Sequence, residues 1–292
     1  MEAFDKFVTT PSVAVRKQMA GFRKPEAGRN KILAALQNAD IERLIPHLEP
    51  ISLPLGMRIR RSGEAAANVY FPSSGVAGLL QIANDGRVTE LALTGREGMV
   101  GVESFLGGKS MPMDTVMLCA GHAYRIRASR LIAAFYLSAS LRRTLLRYAL
   151  SFMTQIEQTA VCNRHHAIGQ RLCRFLLLCL DCQSSNKLAL TQDLIANMLG
   201  VRREGVTDAA RRLRDAGLIN YRRGHIQVID RIGLELRTCE CYTVVKREYD
   251  RLACEPCNQK SAHTDSAAID VSSPLHHTAR WRQSGNSCVR DA

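Results

Sequence analysis

The stretch TQDLIANMLGVRREGVTDAARRLRDAGLI, Thr191 to Ile219, carries the spacing of two short helices crossing at a tight turn. Counted from Gln192, Ile195, Leu199, Val201, Val206 and Ala209 fall where two crossing helices bury side chains, and small Ala196 falls where their backbones approach. Gly200 stands at the turn, where a positive φ carries no Cβ penalty. Arg202, Arg203, Glu204, Thr207, Asp208 and Arg211 are left facing outward on the second helix, a set able to bond base edges and phosphates. Two core helices of an ordinary α domain would give a similar apolar pattern, so the continuation matters. Asp215-Ala216-Gly217 stops the second helix, and Leu218 to Ile229 then alternates about a polar turn containing Gly224. That is the pattern of a basic-tipped hairpin, a wing carrying Arg222, Arg223 and His225 beside the outward helix face.

Charge agrees with a polyanionic partner. The 292 residues carry a net charge of +13, and Lys187 to Arg231 holds nine Lys or Arg against five acids. A solvated basic face would account for such an excess equally well. The length suits two domains. With no run of about eighteen apolar residues and no secretion signal in the first thirty, the expectation is a cytoplasmic protein without a membrane partner. The ten cysteines show no disulfide-scaffold spacing, and Cys162, Cys173 and Cys179 lie in helical apolar patterns as reduced buried thiols do.

Residues 1–29 are basic, aperiodic and broken by Pro11, Pro25 and Gly28, and read as a flexible arm. Asn30 is placed to cap a short helix through Leu36, and Asp40 another through Leu48. From Ile51 to Ile126 the texture changes to short runs, ISL, MRIRR, NVYFP, GVAGLLQIA, RVTELAL, DTVMLCAG and HAYRI, with Asn84-Asp85-Gly86 as a hairpin signal. This turn density predicts an antiparallel β-roll or jelly-roll over 30–130. A long helix over 131–163 follows, with Leu141, Leu145, Tyr148, Phe152 and Ile156 in one stripe. The stripe suits pairing with a second copy; the alternative is a helix packed on its own barrel. Asn163 to His166 breaks the helix at a hinge, a winged helix occupies 164–250, and 251–292 reads as a disordered tail. The fold class is therefore α+β.

In this order of elements, the chain resembles the Crp/Fnr family of bacterial transcription regulators over roughly Lys31 to Tyr249. Arg203-Glu204 followed by Val206 matches the family's Arg-Glu pair, in which the Arg faces guanine and the Glu cytosine. VYFPSSGVAGLL with GREGMVGVESFLGG is similar to the sensor strands and the Gly-bounded phosphate loop, placing Gly98, Gly101, Val102 and Glu103 at a sensor pocket. The resemblance implies a homodimer on double-stranded DNA, a small-molecule effector, and RNA polymerase as a further partner. Where nucleotide-responsive members place Glu and Arg, this chain has Val102 and Met111 or Pro112, so no cyclic-nucleotide response is expected. Glu103 lies one residue from the acidic position, but no Arg exists between Lys109 and Tyr124. The first cysteine is Cys119, which excludes the branch with an amino-terminal iron–sulfur cluster, and Asp208 replaces the family's third basic reading residue.

Two cysteine constellations stand outside this pattern. Cys239-Glu240-Cys241 and Cys254-Glu255-Pro256-Cys257 form two close pairs, with zinc or iron–sulfur binding as one reading and reduced structural or redox-labile thiols as the favoured one. No cofactor is expected. Cys162 with His165 or His166 is a conceivable nucleophile and base, but no orienting residue or oxyanion loop accompanies them, and the chain is read as not an enzyme. A ligand-binding or protein-interaction module whose winged helix docks on protein is the remaining alternative.

Overall fold

Asn30 begins the first helix by accepting hydrogen bonds from the amides of Ile32 and Leu33, while its own amide group donates to the carbonyls of Pro72 and Gly98. In the computed structural model, which describes residues 29–222 and 224–253, this buried Asn ties helix α1 (Lys31–Ala35) to the sheet behind it. The expected amino-terminal arm and most of the tail lie outside the described residues. Helix α2 (Asn38–Leu44) starts before Asp40, which sits inside its first turn and pairs with Arg43 instead of capping; Gln37 is the cap position.

Seven strands follow: β1 (Glu49–Leu53), β2 (Arg58–Arg60), β3 (Asn68–Pro72), β4 (Val76–Ile82), β5 (Val88–Thr94), β6 (Asp114–Cys119) and β7 (Gly121–Arg127). They form two antiparallel sheets, β1-β7-β3 and β2-β6-β4-β5. Alternation along β6 divides its side chains between two apolar clusters. Met117 packs with Leu53, Ala77, Val100 and Ala123 inside the roll, while Val116 and Leu118 join the main core. The β4–β5 hairpin turns at Asn84-Asp85-Gly86 with Gly86 at φ +81°, as that tripeptide dictates.

The expected single helix over 131–163 is two. α3 (Ala128–Leu137) ends at Ser138, which adopts extended backbone and caps α4 (Ala139–His165) by accepting from the Leu141 amide. The expected dimerisation stripe is also corrected. Leu141, Leu145, Tyr148 and Phe152 are buried within the subunit and Ile156 packs partly buried against the same core. The Tyr148 hydroxyl donates to the carbonyl of Met99, and a Cβ at Gly98 would approach its ring to 2.7 Å. Strand β5 and above all the carboxy-terminal helix over Glu240–Ala253, not a second copy, cover this face: the Ser151 hydroxyl donates to the Glu248 carbonyl and the Gln155 amide to the Tyr249 hydroxyl. Leu146, Leu150, Met153 and Val161 are exposed on the opposite face of α4.

Beyond the break lie α5 (Ile168–Cys182), β8 (Lys187–Leu188), α6 (Gln192–Leu199), α7 (Arg203–Asp215), β9 (Ile219–Arg222), β10 (His225–Val228), α8 (Arg231–Arg237) and α9 (Glu240–Ala253). α9 lies along α4 and continues past residue 251, where the sequence suggested a tail. Among the described residues no helix is long and apolar enough to cross a membrane.

The two halves share one core. α4, α5 and α6 all pack on β5, and at this junction Glu90 is 2% exposed, with burial pushing its carboxyl up to about 7 against the opposing charges of Arg174 and Arg171. A carboxyl raised in the folded state favours folding fully below the unfolded value near 4.5, and that contribution is lost as pH rises through 7. The cost above pH 7 is on the order of 3 kcal/mol. Glu90→Gln should therefore be more stable than the parent at pH 8 and lose much of the parent's decline between pH 5 and 8. Parallel melting-temperature profiles for the two proteins would overturn this.

Candidate nucleic-acid interface

The outward face of α7 begins with its packing. Val206, Ala209, Ala210 and Leu213 are buried against α5 and α6, so the residues between them are turned away from the subunit. Gly200 holds φ +61° at the end of α6, its amide returning to the carbonyls of Ala196 and Asn197, which sets the crossing of the two helices. Arg171, largely buried, donates to the Asn163 side chain at 2.8 Å and to the Leu199 carbonyl, tying the end of α4 to the end of α6. Nothing local to Thr191–Ile219 announces this arginine.

Arg202, Arg203, Glu204, Asp208 and Arg211 are exposed, and Thr207 is half-buried. The Arg203 Nε stands 3.3 Å from the Asp193 carboxylate, both side chains being more than half exposed; so solvated a pair is weak and leaves the guanidinium available. Arg211 pairs with Asp208, so Asp208 is not a bare negative charge on the face. The Thr207 hydroxyl is occupied within the subunit, between Gln192 Oε1 at 2.8 Å and the Arg203 carbonyl at 3.0 Å, which leaves its methyl to the exterior as the contact it can offer. In the wing, β9 and β10 pair antiparallel with Arg222 opposite His225, both exposed, and β8 adds a third strand that the sequence reading lacked. Arg223 lies outside the described residues. The arrangement presents guanidinium groups and a carboxylate on one convex helix with a basic hairpin beside it, the chemistry of base-edge and phosphate contact.

The sensor residues behave differently. Gly101 holds φ +107°, which favours glycine, and Val102–Ser104 form a short 3-10 turn with Val102 and Glu103 buried. Glu103 forms an ion pair with Arg60 on β2, so its carboxylate is directed at a protein cation and not at an open pocket. Arg58, on the same strand, stands 3.2 Å from Asp114, whose carboxyl is raised mainly by burial. Both cations lie far outside Lys109–Tyr124; the alternation of MRIRR, which puts Arg58 and Arg60 on one face of a strand, is the sequence signal for them. Of the cysteine constellations, Cys239 and Cys241 come together with Cys162 and His166, while His165 is exposed and Cys254 and Cys257 lie outside the described residues.

A β-roll joined through a long helix to a winged helix with this exposed face defines a DNA-binding transcription regulator. Residues 50–135 match the cyclic nucleotide-binding domain and residues 170–237 the Crp-like helix-turn-helix domain. The chain belongs to the Crp/Fnr family. Among solved structures it is similar to FixK2 from Bradyrhizobium japonicum, with 20% identity over 66% of this chain and 98% of that one at a TM-score of 0.57. It is also similar to the c-di-GMP-responsive global regulator CLP of Xanthomonas campestris, with 19% identity over 66% and 100% at 0.53. A Crp-family transcriptional regulator of Thermus thermophilus matches with 18% identity over 65% and 95%, also at 0.53. No curated protein sequence matches the chain.

Proposed function

We propose that the protein is a homodimeric, sequence-specific regulator in which residues 30–130 sense a signal, 131–163 pair two copies, and 164–250 read DNA in the major groove. The observation that carries this reading is the exposed Arg202-Arg203-Glu204 face of α7, held outward by a fully buried Val206 and flanked by the wing. Arg203 and Glu204 read base edges; Arg202, Arg211 and Arg222 hold phosphates, with His225 in the wing and Arg223, outside the described residues, adding cationic groups to the same contact. Two-fold pairing is mediated by the outer stripe of α4, Leu146, Leu150, Met153 and Val161, in place of the buried Leu141-to-Ile156 stripe. The effector is not a cyclic nucleotide, because Val102 offers no carboxylate and Arg60 is committed to Glu103. RNA polymerase is the further partner this reading implies.

Selection of bound fragments from genomic DNA by the purified full-length protein, followed by binding at increasing salt, tests the reading. A palindromic consensus and an affinity that falls steeply with salt are expected, since each neutralised phosphate releases counterions. Salt-independent binding, or no consensus, would favour a winged helix that docks on protein.

A further inference from the structure

Four ligand-bearing side chains from three separate places meet at the α4–α5 break. Cys162 is in the last turn of α4, His166 is the residue after it, and Cys239 and Cys241 flank Glu240 at the start of α9. All four donor atoms lie within 4.8 Å of one another, and the three cysteines are buried. The Cys162 and Cys239 sulfurs are 3.6 Å apart, and the Cys241 sulfur is 3.6 Å from His166 Nδ1. A tetrahedral zinc ion with Zn–S of about 2.3 Å and Zn–N of about 2.0–2.1 Å spaces its ligands about 3.8 Å sulfur to sulfur and about 3.6 Å sulfur to nitrogen. A disulfide would require the sulfurs at about 2.05 Å. We propose that Cys162, His166, Cys239 and Cys241 form a Cys3His site for one zinc ion that pins the junction between the long helix and the DNA-reading half.

Two surrounding features point the same way. His166 turns Nε2 to the Glu240 carboxylate at 3.3 Å, so the ring donates its proton outward and leaves Nδ1 with a lone pair toward the sulfurs. That carboxylate–histidine arrangement is how a zinc-binding imidazole is oriented and made more basic. Arg174, 4% exposed, keeps a buried Nε without a hydrogen-bond partner, and its charge acts on the Cys162 and Cys241 thiols. Three thiolates on a divalent ion leave one negative charge, which this guanidinium offsets. Ligation releases the thiol protons. Edges this short fit a single ion, because ligands of an iron–sulfur cluster are distributed over more than one iron. The site as proposed takes no ligand from Cys254 or Cys257, which lie outside the described residues.

Because the ligands join α4, the break and the α8–α9 turn, an occupied site fixes the angle at which α5 leaves α4. Through Arg171 and the Leu199 carbonyl that angle bears on the placement of α6 and α7. The test uses the full-length protein, purified under reducing conditions, stripped of metal and titrated with Zn(II) and separately with Co(II). One ion per chain is expected, and the cobalt form should show thiolate charge-transfer bands with the intense visible absorption of a tetrahedral site. Cys239→Ser and Cys241→Ser should lose the ion, whereas Cys173→Ser and the double variant Cys254→Ser/Cys257→Ser should keep it. Glu240→Gln removes no ligand and is exposed, so it should fold normally yet bind about 10–100-fold more weakly. A reduced, folded protein that binds neither ion would overturn the site. So would an ion lost with Cys254 and Cys257 but retained without Cys239 and Cys241, or unchanged affinity in folded Glu240→Gln.

Discussion

Replacing Leu150 by Glu is expected to give a folded monomer whose operator affinity is lower by roughly a hundredfold to ten-thousandfold, the range by which linking two binding events raises avidity. Leu150 is 59% exposed on α4, in line with Leu146 one turn before and Met153 one turn after, so a carboxylate there meets water in the isolated subunit. In a dimer paired along this stripe it would be buried opposite its own copy, where like charges and lost apolar area both oppose association. Phe152→Glu is the informative contrast. At 4% exposure, beside Tyr148 in the subunit core, a charge at that position destabilises the fold itself. Sedimentation with circular dichroism separates the outcomes. A Leu150→Glu protein that still sediments as a dimer would rule out the outer stripe as the contact.

The second large effect is expected at Arg203. A bidentate guanidinium–guanine contact is worth about 1–3 kcal/mol of discrimination, so Arg203→Ala should flatten sequence preference at one position of each half-site by roughly five- to 150-fold. The fold should be spared, because the side chain is 61% exposed and its Asp193 partner is solvated. Arg222→Ala should behave otherwise, weakening binding to all sequences alike and lowering the salt dependence by about one unit of log–log slope, as loss of a phosphate contact does. An unchanged selection profile for Arg203→Ala would refute its role as a base reader.

The strands of the roll are legible because each depends on a local pattern. Asn68–Pro72 is extended where NVYFP predicts it, and Gly86 and Gly200 take the positive φ their turns require. The helix pair and wing are legible for the same reason, since their turns, alternation and outward basic residues lie within forty residues of chain. Less local features were misplaced. Asp40 has the side chain of a cap, yet α2 starts two residues earlier, with Gln37 at the cap position making no side-chain capping bond and Asp40 paired with Arg43. Ser138 interrupts what hydropathy alone reads as one helix.

The long helix shows where pattern stops being informative. Its two apolar stripes both recur at helical spacing, and the richer one, Leu141 to Ile156, is covered within the subunit by β5 and α9 while the sparser one, Leu146 to Val161, is left outside. Periodicity says that a face is buried but not against what. Similarly, Cys162 with His166 and Cys239 with Cys241 are each unremarkable pairs in the chain, and only the packing of α9 along α4 makes them one cluster.

The α+β class, the order of roll, helix and winged helix, and the outward chemistry of α7 are thus written in local stretches of the chain, because they follow from backbone preferences and side-chain alternation among near neighbours. Which stripe of α4 remains free, the pairing of Arg60 with Glu103, and the convergence of four ligands at the helix break emerge only on packing. Those depend on how distant elements dock, and docking is selected by the total area buried and charge satisfied across the subunit, which no short window of residues contains.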